Sequence, residues 1–232
     1  NRLQPYDVTR RVVDWLRAHG IDAVNLDLMY GLPHQTETLV RRMVDKAVTL
    51  APSRIALFGY AHVPWMKSHQ RLIDENALPG PSERWRQAET AAERLDGHGY
   101  VRIGLDHFAR HDDAMTQAAA TGNLGRNFQG YTTDRSAAIL GFGASAIGAL
   151  PSGYVQNTVA LPDYARAVRD GHLPITRGIA LSEDDRLRRD IIQALMCGLD
   201  ADISAIFVRH GRSIDLADAW ERLAPLCNDG YL

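Results

Sequence analysis

The 232-residue chain concentrates its chemistry-bearing side chains in a few short stretches. The richest is Gly125-Arg126-Asn127-Phe128-Gln129-Gly130-Tyr131-Thr132-Thr133, which sets a guanidinium, two side-chain amides, threonine hydroxyls and two aromatic rings within nine residues. Such a stretch is either a solvated polar loop or the wall of a pocket, and composition alone favours the loop. A few residues later Gly141, Gly143 and Gly148 punctuate an apolar run. Their spacing matches no specific phosphate-cradling loop, although small residues there would let the backbone approach a flat ligand closely. Asp27, just before Tyr30-Gly31-Leu32-Pro33, could accept hydrogen bonds from ribose hydroxyls or an amine, or could simply cap a turn. His62 and the pair Asp106-His107 suit proton transfer or carboxylate binding, because imidazole titrates near neutrality; each could equally be a structural donor. His107 and His111 are four apart, but metal ligands at that spacing share a face only on a helix, and Gly104 to Phe108 reads as strand.

Positioning these residues requires regular elements. Val8, Val12, Trp15 and Leu16 recur at helical spacing before Gly20, and Val24, Leu26 and Leu28 then alternate with Asn25 and Asp27 as in a strand with one polar face. A second helical stripe (Leu39, Val40, Met43, Val44, Ala47) precedes a strand-like run from Arg54 to Pro64. A third (Trp85, Ala88, Ala92, Leu95), with Ser82 as a plausible N-cap, precedes a run from Tyr100 to Phe108 that reads as a third strand. Strands separated by helices of this length predict parallel pairing through crossovers. A partial (β/α) barrel is preferred to a doubly wound sheet. Polar residues sit in or at the ends of the strands, and no Gly-x-Gly-x-x-Gly turn opens a helix directly after one.

From about residue 161 the pattern predicts helices alone: 162–171, a Ser182-capped helix with Leu187, Ile191 and Leu195 on one face, then 202–210 and 216–226. A domain boundary is expected near residue 175, giving a barrel part over 1–175 and a helical C-terminal domain over 176–232.

The bulk composition, 45% hydrophobic and 23% charged with a formal charge of −2, is that of a soluble globular protein. It provides no field that would draw the chain to nucleic acid or an anionic membrane. No apolar stretch approaches the roughly 20 residues of a membrane span, and the N-terminus lacks a signal-peptide pattern, so the chain reads as cytoplasmic. Cys197 and Cys227 suggest neither a disulfide framework nor a metal cluster. Lacking an initiator methionine and ending shortly after a glycine turn, the chain reads as a fragment cut at both ends.

In this order and at these separations, "NLDLMYGLPHQT", "FGYAHVPWMK", "RIGLDHFAR", "GRNFQGYTT", "LGFGASAIGAL" and "YVQN" resemble the oxygen-independent coproporphyrinogen III oxidase family of radical S-adenosylmethionine enzymes. The resemblance covers essentially the whole chain. It implies the second part of a partial (β/α) barrel with a small helical C-terminal domain. It also implies a [4Fe–4S] cluster, two S-adenosylmethionine molecules, an electron donor, and the substrate coproporphyrinogen III, two of whose propionates become vinyl groups in protoporphyrinogen IX. Arg2, Asp27 and Ala61 would contact the second S-adenosylmethionine, and Ile147 would pack near the first. Phe128 and Gln129 would be needed for activity. Arg126 would meet a propionate, because a guanidinium fork suits a carboxylate, and His107 is a second candidate for substrate contact.

One departure is large: the family's Cys-x-x-x-Cys-x-x-Cys cluster motif is absent, and neither Cys197 nor Cys227 can replace it. The chain alone is therefore expected to be inactive, an open half-barrel would expose strand edges and apolar helix faces, and the intact protein is expected to be a monomer. A related group of radical S-adenosylmethionine haem chaperones shares the glycine-rich run but lacks the "RNFQGYTT" block. A bare α/β domain whose helices serve a protein partner is the other alternative.

Overall fold

The computed structural model describes residues 4–213 and 217–230. The chain divides into two compact units, residues 1–134 and 135–232. The first opens with helix α1 (Tyr6–Ala18), strand β1 (Asn25–Tyr30), helix α2 (Glu37–Val48), strand β2 (Arg54–Gly59) and helix α3 (Pro81–Gly97). β1 and β2 pair in parallel, as the intervening helix demands.

The predicted third strand is two strands. β3 (Tyr100–Ile103) and β4 (His107–Arg110) form an antiparallel hairpin, and β4 inserts beside β2, giving the order β1-β2-β4-β3. The physical reason is Gly104, whose φ of +58° reverses the chain where continuous alternation was expected. All-parallel pairing is thus corrected: only β1 and β2 run parallel within this sheet.

A core lies on one face of the sheet, where Val40 and Val44 of α2 and Ala91 and Leu95 of α3 pack on Ile55, Leu57, Tyr100 and Phe108. α2 begins at Thr36, whose side chain accepts a hydrogen bond from the Leu39 amide at 3.3 Å. The α2 stripe packs as expected, with Val40, Val44 and Ala47 buried, as does Leu95 of α3, but other expected positions face outward. In α1 the buried residue is Val13, with Tyr6 and Leu16 beside it, whereas Val8, Val12 and Trp15 (64% exposed) face outward. In α3 Trp85 is exposed and Gln87 takes an inward position. The unit ends with helix α4 (Ala114–Ala120) and the short hairpin of β5 (Gly125–Asn127) and β6 (Gly130–Thr132).

The second unit holds a three-stranded antiparallel sheet of β7 (Ile147–Leu150), β8 (Gly153–Asn157) and β9 (Ile175–Ala180). Helix α5 (Leu161–Arg169) lies between β8 and β9 in sequence. β9 corrects the expectation of helices alone after residue 161. Helices α6 (Glu183–Gly198), α7 (Ile203–Arg209) and α8 (Ala217–Asn228) follow. Ser182, the N-cap read from the sequence, forms a capping box with Asp185. Among the described residues no helix is long and apolar enough to cross a membrane.

Candidate functional site

Strand register assembles the site. Asp27 pairs with Ala56 across β1 and β2, and Ala56 pairs with His107 across β2 and β4. Side chains paired directly across a ladder share a face, so Asp27, Ala56 and His107 form one row. Phe108, Leu57 and Ile55 belong to the core on the opposite face. Two strand spacings place the carboxylate-bearing and imidazole-bearing backbones about 10 Å apart, with only the methyl of Ala56 between them. Asn25 donates to Asp27 Oδ1 at 3.1 Å, and exposed Met29 and Phe58 lie further along the same face. This face therefore carries an exposed carboxylate and apolar area, with a buried imidazole two strands away.

His107 is 8% exposed. Its Nδ1 lies 2.7 Å from Asp106 Oδ1, which fixes the ring with Nε2 as the remaining polar atom. The ring meets Phe58 edge-on at 6.2 Å and Tyr131 at 5.2 Å between centroids. Through Tyr131 the β5–β6 hairpin is docked onto this face. Phe128 (52% exposed) and Gln129 occupy the hairpin turn, where the Gln129 amide donates to Asn127 Oδ1 at 2.8 Å. Arg126, on β5, faces its cross-strand partner Tyr131 with the guanidinium 5.6 Å from the ring centre.

Loops following the parallel strands are held by buried amides. Gln87 Oε1 accepts from the Gly31 amide at 2.9 Å and its Nε2 donates to the Gln35 carbonyl at 2.5 Å, bracketing the loop after β1. Gln70 does the same after β2, donating to the Ala61 carbonyl at 3.0 Å and accepting from the Val63 amide at 2.6 Å. Ala61 itself is exposed beside this clamp. His62 leans away from the row, its Nε2 3.1 Å from Glu75. In the second unit Asn157 Nδ2 donates to the carbonyls of Gly141 and Gly143 at 3.1 and 2.9 Å, shaping the glycine-rich loop that leads into Ile147 on β7.

The structure thus brings Asp27, Ala61, His107, Arg126, Phe128 and Gln129 into one unit, with Ile147 in the other. Arg2 lies outside the described residues. Gln70, Gln87, Asn157 and Tyr131 were not singled out from the sequence. A glutamine on a helical stripe, such as Gln87 between Arg84 and Ala91, was the available signal.

Cys197 lies in α6 and Cys227 in α8, and neither is in a disulfide. Among the described residues no three His, Cys, Asp or Glu side chains gather to hold a metal. With one cysteine on α6 and one on α8, the described residues offer no ligand set for an iron–sulfur cluster.

No family model matches the chain. It is 50% identical over its whole length to an oxygen-independent coproporphyrinogen III oxidase from Bradyrhizobium diazoefficiens, and 39% identical over 94% of its length to one from Synechocystis. A solved structure, coproporphyrinogen III oxidase (HemN) from Escherichia coli, described as a radical SAM enzyme, superimposes with a TM-score of 0.89 at 37% identity over 99% of this chain and 54% of that one. The chain spans about half the length of the curated relatives it matches. By sequence and by fold, the chain is similar to about half the length of the oxygen-independent coproporphyrinogen III oxidases.

Proposed function

We propose that the chain is part of an enzyme that oxidatively decarboxylates two propionates of coproporphyrinogen III to vinyl groups, yielding protoporphyrinogen IX in haem biosynthesis. The observation that carries this reading is the single surface joining Asp27, His107 and the Phe128–Gln129 hairpin, in a chain matched along its length by relatives bearing that name.

In the whole protein residues 1–175 would belong to a partial (β/α) barrel and 176–232 to a helical C-terminal domain. The intact protein would be a cytoplasmic monomer, and this chain alone would not turn over. S-adenosylmethionine and a [4Fe–4S] cluster, when bound, supply the hydrogen-abstracting radical, with reduction by an external electron donor. The cluster's ligands must come from outside this chain. Of two S-adenosylmethionine molecules, one would meet the exposed Asp27 carboxylate and the backbone of Ala61 in its clamped loop, with Arg2, outside the described residues, as the expected partner of its carboxylate. Ile147 offers an apolar contact to the other.

The chain's own side chains then do the following. Arg126 pairs with a propionate carboxylate. His107, oriented by Asp106, offers Nε2 to the substrate. Phe128 excludes water, and Gln129 supplies an amide that orients the reacting group.

The test is to incubate the full-length protein, with its cluster reduced, with coproporphyrinogen III and S-adenosylmethionine under anaerobic conditions, then separate the products. Protoporphyrinogen IX is expected. Haem binding without any decarboxylation would favour the related haem-chaperone activity and overturn the proposal.

A further inference from the structure

We infer that Tyr131 is the positioning residue for the catalytic hairpin, acting through Gln129 and Phe128; the inference rests on the functional reading above. Four observations converge on this side chain, which is 6% exposed. Its hydroxyl accepts the Leu105 amide at 3.1 Å, tying β6 to the β3–β4 turn. Its ring lies where the side chain of any residue other than glycine at 104 would be, so that a Cβ there would collide with the ring. Its edge contact with His107 joins the hairpin to the row containing Asp27. Arg126 sits over its other side.

The hairpin that carries the proposed substrate-contacting groups is therefore tied by this phenol to the sheet and to the β3–β4 turn. The β5–β6 ladder pairs only Gly125 with Thr132, Arg126 with Tyr131 and Asn127 with Gly130. An isolated two-stranded hairpin is marginal by itself. The tip keeps a fixed place only if something anchors it, and Tyr131 is the buried apolar side chain of the hairpin. The hydroxyl fixes the ring's sliding along the turn, and Gly104, at φ +58°, leaves the space into which the ring fits. A displacement of the tip by about 1 Å can cost on the order of a hundredfold in turnover.

The experiment is a double-mutant cycle in the full-length enzyme with Tyr131→Phe and Gln129→Ala, reading kcat per folded molecule, KM and the exchange rate of the Leu105 amide. Tyr131→Phe retains the ring and so the packing. The expected results are a roughly tenfold lower kcat with little change in KM, faster exchange at Leu105, and a double variant no slower than Gln129→Ala alone, because residues acting as a unit are non-additive. Fully additive losses, or wild-type kcat for Tyr131→Phe beside an impaired Gln129→Ala, would overturn the positioning role while leaving the catalytic reading intact. Wild-type turnover for Gln129→Ala would overturn both.

Discussion

The two units spend their apolar residues differently. In residues 1–134, two helices and a sheet close on Val40, Val44, Ile55, Leu57, Ala91, Leu95, Tyr100 and Phe108. In residues 135–232 the buried apolar cluster is Leu187, Ile206 and Phe207, while β9 is exposed along its length and α5 buries no residue. In the first unit the opposite face is packed as well, with Ala56, Ile103, His107 and Tyr131 buried, and Asp27 stands exposed at its margin on β1. The second relies on caps, ladders and a buried asparagine to shape its loops. In the first unit the apolar core shared with α2 and α3 and the row bearing Asp27 and His107 therefore lie on opposite faces of one sheet.

The same substitution should read this contrast most strongly. Leu95→Ala, at a fully buried position in the first unit, should destabilise by about 2–5 kcal/mol through lost burial and a residual cavity. Leu195→Ala in α6, where the side chain is half exposed, should stay within about 0.5 kcal/mol. Urea midpoints of the full-length protein would test this, and equal losses would erase the distinction.

Next in size is Gln87→Leu. It strands the Gly31 amide and the Gln35 carbonyl in a buried loop, at about 1–3 kcal/mol. Proteolysis of the 31–36 loop should become easier, and an unchanged cleavage pattern would show that the clamp is not what holds it.

How much of this was legible follows from chain physics. Helix and strand periodicity placed β1, β2 and the first three helices, and Ser182 with Asp185 announced the start of α6. The face of α1 was misread by about one position because the periodic stripe through Val8, Val12 and Trp15 is apolar without being packed, whereas Val13 is, while the α2 stripe through Val40 and Val44 packs as read. The β3–β4 reversal depends on one backbone angle at Gly104, which alternation cannot reveal. Strands of three to five residues such as β5 to β8 are too short for a period to stand out, and β9 is exposed at every position, so it has no buried face to announce it. At the site, residue types pointed to Asp27, His107 and the hairpin. The row that joins Asp27 to His107 exists only because β4 inserts beside β2, a long-range pairing with no local signature.

Smaller effects should come from exposed caps and charges. Ser182→Ala removes the hydroxyl that accepts the Asp185 amide at 3.1 Å, costing about 1 kcal/mol in the second unit. A thermal shift confined to the helical signal would confirm its locality. Smallest is Asp45, whose carboxyl is held below its ordinary range by hydrogen bonds from Arg94 and then His98. Because the folded-state value is lowered, this contribution is present above the unfolded carboxylate range and is lost as pH falls through the lowered value. Asp45→Asn should flatten the acid limb of the stability curve slightly, and an unaltered limb would assign that limb to other carboxylates.

The central claim is that the face joining Asp27, His107 and the hairpin serves decarboxylation. Its most direct test is the yield of protoporphyrinogen IX per folded molecule from the full-length enzyme carrying Gln129→Ala, measured together with S-adenosylmethionine binding. Loss of about a hundredfold in product with binding retained is predicted. Product formation at the unsubstituted rate would contradict the claim.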